Sequence, residues 1–600
     1  MTTNKDEPAL PRWNLQDLFT GPDDSRVGAS LKEALAQATA FAARYRDRVP
    51  ALEAAALATA LHEYETILNE ASKAPIFAGL QHAVDSENQR HGALLAFTEK
   101  EYGEIGKTLV FFGLDIAKMP EERLNALAAD PALATYRNYL VQAKVSRPHL
   151  LTEELERLIT DKDRNGIGTL VRFLDEELAV MPVGVELDGK TEELTEATAL
   201  DLLHDHDRGK RQAAAKGFTA ALHDETRRLA LVANALIDDK AVEDGYRHYT
   251  EPEMARHLAN QTNRAEVDAL IGAVTESYGI VADYYRFKRE VMGLDVLYDY
   301  DRYAPVGEPR ASIAWADAQT TVLDAYRRFS PTMADLAADF FKRGWIDAAP
   351  RKGKRGGAFC QYGTPDLHPY VMLNYTGRVD DVMTLAHELG HAVNARLMSH
   401  ETPLNFGNPL TLAETASVFA EMLVFEDLKA KLGERDRLAL LMGKIESVFA
   451  TVHRQTAMFL FERDIHAARR TEGELAPERF DAMWRARQEE MFGGSVNLTE
   501  DYDRWWLYIT HFWHTPFYVY SYAFGELLTL ALYGKYRQEG APFIPQYLAF
   551  LSVGSSKSPQ ELTAPLGINL ADPVFWRHGT RMIAEMVAEA KALHAKLQTK

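Results

Sequence analysis

The sequence predicts a mainly α-helical protein, a large helical body with a small β-sheet. Three observations predict it. Long stretches rich in Ala, Leu, Glu and Lys carry apolar residues at helical spacing. β-rich composition is concentrated in residues 356–375, where two short runs flank a turn containing Gly363 and Pro365. No repeat of fixed period and no long low-complexity linker interrupts the pattern. With 46% hydrophobic and 10% aromatic residues among 600, the chain has the material for a large core, which excludes wholesale disorder.

Taken in order, residues 31–45, 51–68 and 90–116 read as helices. Residues 161–166 imitate the start of a calcium-binding loop, but the twelfth position, which should be a bidentate Glu, is Arg172. The segment therefore reads as a polar turn between helices. Residues 183–190 have turn and strand character and supply the expected seam between an N-terminal helical domain (1–185) and the remainder (186–600). Residues 266–291 read as one helix. The basic run Arg351-Lys352-Gly353-Lys354-Arg355 reads as a solvated loop, with a mobile anion-attracting loop as the alternative. Residues 477–491 read as a helix, with Pro477 tolerable at its first position. Residues 572–597 close the sequence as an amphipathic helix.

Charge and cysteine content exclude several functions. Lys+Arg number 67 and Asp+Glu 87, a net charge of −20 that repels phosphate backbones and argues against nucleic acid. Cys360 is the single cysteine, so a disulfide scaffold is out. The first residues lack a basic start followed by an apolar run, so a cytoplasmic location is expected. Residues 505–525 contain no Asp, Glu, Lys or Arg, as a membrane span would. Their two His, four Tyr, three Ser/Thr and Pro516 are too polar for lipid, so a buried or cleft-lining segment and no membrane are expected.

The chemistry concentrates in His387-Glu388-Leu389-Gly390-His391. Asp380 or Asp381 can start a helix here, and Leu385, Ala386, Leu389, Ala392 and Val393 make it largely buried. On that helix His387 and His391 are about 40° apart on one face, so two ring nitrogens can bind one Zn²⁺. Glu388 projects beside them, where it can hold the metal's water and accept its proton. Gly390 costs about 1 kcal/mol in mid-helix, which predicts a close approach or packing reason.

The third ligand is not on this helix, because Asn394 and Leu397 occupy the positions where an extended motif would have Gly and His. Downstream, residues 411–421 read as a second helix with Thr411 as its cap. Its Glu414 is favoured as third ligand, leaving one position for water. Glu421, seven residues on, is the rival ligand or a group that orients one. His511, Tyr518 and Tyr522 fall at i, i+7 and i+11, so a helix would align them as donors to a tetrahedral oxyanion; Pro516 makes that helix imperfect, and Tyr520 falls off the face. Residues 369–374 read as a strand whose edge could pair with an extended peptide.

HELGH, then AETASVFAE, then HFWHTPFYVYSYAFG, with PRWNLQDLF near the start and GGAFC before the motif, resemble the oligoendopeptidase F family of zinc metallopeptidases, relatives of thimet oligopeptidase. The resemblance spans nearly the whole chain. It implies a mostly helical fold with a deep substrate cleft; the small sheet is expected beside the zinc helix, and residues 186–600 are expected to form the catalytic domain. It implies cleavage of short oligopeptides at internal bonds with one Zn²⁺ per chain. His387, His391 and Glu414 match the zinc ligands, Glu388 the catalytic glutamate, and His511 and Tyr522 the residues that stabilise the transition state, with Tyr518 and Tyr520 beside them. Trp513 stands where many members have Tyr. A helical metallocarboxypeptidase and an inactive peptide-binding protein are the alternative readings.

Overall fold

In the computed structural model, which describes residues 10–307 and 312–599, helices make up 73% and the sheets are too small to form a core of their own. The reading of the N-terminus falls mostly on residues 1–9, outside the described ones. Strand β1 (Val183–Leu187) pairs antiparallel with β2 (Lys190–Leu194). Asp188 and Gly189, at φ 51° and 75°, supply the two positive dihedrals that a tight two-residue hairpin requires. The second sheet orders β3 (Ile346–Asp347), β5 (Tyr370–Met372) and β4 (Phe359–Gln361), with β5 in the centre, parallel to β3 and antiparallel to β4. The sequence showed β4 and β5; two-residue β3 was too short to register.

The described chain clusters into two compact units. One comprises Met1–Arg147, Pro309–Leu428 and Lys535–Gly567. Its helices Ser25–Tyr45, Ala54–Val84 and Gln89–Ala117 pack around Phe41 and Phe112, whose rings meet edge to face at 5.0 Å. The second helix runs on past the expected end at residue 68 and through Pro75, because Ala71, Ala74, Phe77 and Leu80 are all buried and outweigh one lost hydrogen bond. The HELGH segment lies on helix Val379–Leu397, packed beside β4 and β5. Tyr326 donates to the Ala386 carbonyl at 2.6 Å and fixes that helix to its neighbour.

The basic run in this unit is a solvated loop only in part. Lys354 is fully buried, at 2.7 Å from Asp347, and also donates to the Leu373 carbonyl at 2.5 Å. Arg351 grips both oxygens of the same Asp347, at 2.7 and 3.0 Å. Two cations are thus committed to one buried carboxylate at the end of β3, while Lys352 and Arg355 are exposed. Pairing of this kind is what burial of such charges demands.

The other unit comprises Pro148–Glu308, Lys429–Gly534 and Ile568–Lys600. The expected domain boundary at 185/186 lies inside strand β1 of this unit. Residues 161–166 run through the last turn of helix Glu153–Asn165 into Gly166, and the next helix begins at Ile167. The single helix expected at 266–291 is two, Arg264–Glu276 and Tyr278–Val291. Buried Ser277 breaks it, since its hydroxyl bonds the Val274 carbonyl at 2.7 Å and meets His453 Nε2 at 2.9 Å, so the side chain competes with the helical ladder. Among the described residues no helix is long and apolar enough to cross a membrane.

Burial lowers the pKa of His453 to about 3, so the folded chain refuses a proton that the unfolded chain takes near pH 6.5. The unfolded state then binds more protons between pH 6.5 and 3, and stability falls as the pH drops through that window. Urea titrations from pH 7 to 4.5 should show this slope, reduced in His453→Gln by up to about 1.4 kcal/mol per pH unit.

Candidate metal centre

Helix Val379–Leu397 starts two residues earlier than a cap at Asp380 would put it, with Arg378 at the cap position. Asp381 lies in its first turn and reaches back, accepting from the amides of Thr376 and Arg378 at 2.7 and 3.0 Å. Two turns on, the rings of His387 and His391 stand 4.9 Å apart and nearly perpendicular. Glu414 faces them from a separate stretch. Thr411 is not its cap: it lies inside the short helix Leu410–Ala413, and Glu414 occupies the junction before helix Thr415–Lys431. Ser417 donates to Glu414 Oε2 at 2.8 Å and steadies it there.

The donor set converges. Glu414 Oε2 is 3.2 Å from His387 Nε2 and 3.3 Å from His391 Nε2, and one ligand atom from each of the three residues lies within 4.8 Å of the others. Two donors on a tetrahedral zinc at about 2.1 Å would stand about 3.4 Å apart, so the observed spacings fit that ion. Electrostatics agree. Burial opposes charge on His387, yet the Glu414 and Glu421 carboxylates raise its pKa to about 10, so the site favours a cation strongly. Burial likewise works against ionised Glu414, and the two imidazoles override it, holding its carboxyl far below the usual range.

The remaining imidazole nitrogens are engaged. His387 Nδ1 lies 3.5 Å from Glu421 Oε2. His391 Nδ1 meets the Tyr362 hydroxyl at 3.3 Å; Tyr362 in turn donates to Asn394 Oδ1 at 3.3 Å, which also accepts from Asn408 at 2.6 Å. Asn394 is itself pinned, donating to the Leu551 carbonyl at 2.7 Å. A consistent set of hydrogens runs from His391 Nδ1–H to Tyr362 and on to Asn394, leaving the Nε2 lone pair free to coordinate. Burial pushes the Tyr362 phenol well above its ordinary pKa, so it keeps its hydrogen. Sequence reasoning missed Tyr362 and Asn408; the only signal was Tyr362's place just after β4.

Glu388 is 6% exposed, and burial raises its pKa against the pull of His387 and His391. Desolvation and the Glu388 charge push the Cys360 thiol on β4 well above its ordinary value, so it stays a thiol and is a poor nucleophile.

In the other unit, His511, Tyr518 and Tyr522 do not share a helix. His511 is on the short helix His511–His514; the chain then breaks through Thr515, Pro516 and Phe517, and resumes as helix Tyr520–Glu539. Phe517 adopts φ 60°, a strained value for a bulky residue, and its amide donates to the fully buried Glu462 at 2.8 Å. The break nevertheless gathers the three side chains: His511 stacks parallel to Tyr518 at 6.3 Å, Tyr518 meets Tyr522 at 4.8 Å, and the Tyr522 hydroxyl lies 3.4 Å from His511 Nε2. Burial, followed by Arg454 and His514, lowers the pKa of His511. Tyr520 points elsewhere. It is fully buried, its hydroxyl accepting from Asn260 at 2.8 Å beside His257 Nδ1 at 3.2 Å.

Residues 201–581 match the profile described as Peptidase family M3, and residues 115–181 that of Oligopeptidase F. Oligopeptidase PepF of Bacillus subtilis is 24% identical over 598 residues, covering 98% of this chain and 88% of that protein. Group B oligopeptidase PepB of Streptococcus agalactiae is 23% identical over 529 residues, with 87% and 88% covered. The crystal structure of oligoendopeptidase-F from Enterococcus faecium has the same fold, with a TM-score of 0.72 at 20% identity, covering 95% of this chain and 98% of that one.

A Cβ on Gly390 would lie 2.6 Å from Ser417 Cα, 2.8 Å from the Ala416 carbonyl oxygen and 2.9 Å from Ala420 Cβ. Backbone cannot yield cheaply there, so Gly390→Ala should destabilise by about 1–3 kcal/mol despite its better helix propensity. By moving Glu414 off the imidazoles it should also weaken zinc binding at least tenfold, read by competition with a chromophoric chelator.

Proposed function

The chain belongs to peptidase family M3 and is a metalloendopeptidase of the oligoendopeptidase F type, and on that premise we propose that it hydrolyses internal bonds of short oligopeptides using one Zn²⁺ held by His387, His391 and Glu414. The observation that carries this reading is the placing of Glu414 Oε2 at 3.2 and 3.3 Å from the two Nε2 atoms. Zinc bound there would supply a Lewis acid that polarises the scissile carbonyl and acidifies a water.

The chain's own groups do the rest. Glu388 takes the proton of the attacking water at its carboxylate and delivers it to the leaving amine. Its raised pKa suits both halves of that task, since a base with an ordinary carboxylate pKa would hold the proton too weakly at neutral pH. Glu421 holds the Nδ1 hydrogen of His387, and Tyr362 with Asn394 holds that of His391, so that both rings present Nε2. His511 and Tyr522, with Tyr518 stacked against them, donate to the oxygen that becomes negative in the tetrahedral state. The lowered pKa of His511 keeps its imidazole neutral at pH 7. Tyr520 ties the start of its helix to Asn260. The cleft that restricts substrates to short peptides belongs to the same proposal.

Glu388→Gln should lower kcat by about 10²–10⁴ while metal analysis still finds one zinc per chain; near-normal turnover would remove Glu388 from its role. Tyr522→Phe and His511→Ala should each lower kcat by about 10²–10³ with little change in KM. Mass spectrometry of a ladder of peptides blocked at both ends, with one intact folded protein included, should show internal cuts in the short members only.

A further inference from the structure

One cavity outside the metal centre is built for a ligand of a particular charge and size. It lies within the unit that carries His511, has a volume of about 20 Å³, and is walled by Arg302, Tyr303, Glu446 and Arg454 among apolar and aromatic side chains. That is room for one water-sized or monatomic species. Arg302 is 3% exposed, and the rings of Tyr502, Tyr303 and Phe492 lie 4.8, 4.9 and 5.3 Å from its guanidinium carbon. Its Nε donates to the Asp299 carbonyl at 3.0 Å. Arg454 closes a π-helical turn, Ala450–Arg454, of the kind that inserts one extra residue to aim a side chain. Its Nη2 donates to the Tyr508 hydroxyl at 2.8 Å, and its buried Nε has no partner.

The charges do not balance, although the buried Asp299 carboxylate partly offsets Arg302 at longer range than an ion pair. Among the described residues neither guanidinium makes an ion pair, whereas Glu446, the one carboxylate in the wall, is held by Lys288 at 2.7 Å and accepts from Tyr284 at 2.5 Å. Aromatic faces attract a cation but carry no net charge to neutralise it. A buried charge left in this way is costly, and a water cannot compensate it. The Tyr303 phenol reports the same field: burial raises its pKa, and Arg454 and Arg302 more than reverse this.

We propose that the cavity between Arg302 and Arg454 is a binding site for one monovalent, halide-sized anion, chloride in the cell, ligated by the two guanidiniums and the Tyr303 hydroxyl. The small cavity volume favours a monatomic ion, and the unpaired cations set the sign.

Crystals of the zinc-loaded protein grown in sodium bromide should show anomalous bromine density between Arg302 and Arg454. In solution, Tm in sodium chloride or bromide should exceed Tm in sodium gluconate by about 2 °C or more at a matched ionic strength of about 0.15 M. Arg454→Gln should abolish that difference while its Tm in gluconate is unchanged or higher, since one uncompensated charge is gone. If the variant does not fold, bromine density in the unaltered protein decides. Absence of bromine from this cavity would overturn the proposal, as would equal Tm in halide and gluconate. Density that appears only at molar bromide, with no Tm difference at 0.15 M, counts as the second of these. A halide effect that persists undiminished in folded Arg454→Gln would also overturn it.

Discussion

The metal centre depends on one contact between two backbones. Helix Val379–Leu397 carries two imidazoles, and the third donor comes from a stretch beginning at residue 410. They converge because Gly390 has no side chain where Ser417 Cα comes within 2.6 Å of the place a Cβ would fill. The cost of a helical glycine, about 1 kcal/mol, is small against what the approach permits. It lets Ser417 bond Glu414, sets Glu414 against both Nε2 atoms, and leaves Glu421, two turns along, opposite the other nitrogen of His387. One missing methyl group therefore fixes both carboxylates that act on the same ring.

The surroundings are organised to keep that geometry from relaxing. Tyr362, Asn394 and Asn408 form a bonded chain behind His391, anchored at the Leu551 carbonyl. On the sheet side, Asp347 gathers Arg351 and Lys354, and Lys354 also holds the Leu373 carbonyl just past β5. Two of the four cations in the basic run are consumed in tying the sheet together. The same economy holds in the other unit, where buried Glu462 takes the Phe517 amide and thereby secures the strained turn that brings Tyr518 to His511.

Local spacing was the part of this that the sequence could carry. Four residues separate His387 from His391, and a helix makes them neighbours whatever the fold; the cost of Gly390 likewise announced a close approach without naming the partner. Glu414 was legible as an acidic residue on the next apolar stretch, but its junction between two helices was not, because Thr411 has a capping residue's chemistry and a buried position inside the turn. Tyr362 and Asn408 are 29 and 17 residues from His391, and no periodicity links loop residues at such separations. His511, Tyr518 and Tyr522 were grouped by a helical spacing they do not have. Phe517 at φ 60° gathers them instead, and a positive dihedral on a phenylalanine leaves no trace in sequence. The basic run misled because five residues rich in Lys and Arg look solvated until Asp347 is known to be buried beside them.

Glu388 and Glu414 show how one site obtains two kinds of carboxylate from one residue type. Both are largely removed from water, and for both burial acts first to raise the pKa. Glu414 has Nε2 atoms of two imidazoles within 3.3 Å, and their hydrogen bonds and charge reverse the effect, keeping it ionised as a ligand must be. Glu388 receives only the longer-range pull of the same rings, which does not overcome burial, so its affinity for a proton stays high. Adjacent positions on a helix, 387 and 388, thus face opposite demands: the histidine must give up a proton to bind metal, and the glutamate must be able to accept one. Separation of the two carboxylate pKa values follows from which of them the imidazoles touch, and that is decided by the approach of the two backbones at Gly390 rather than by any property of glutamate.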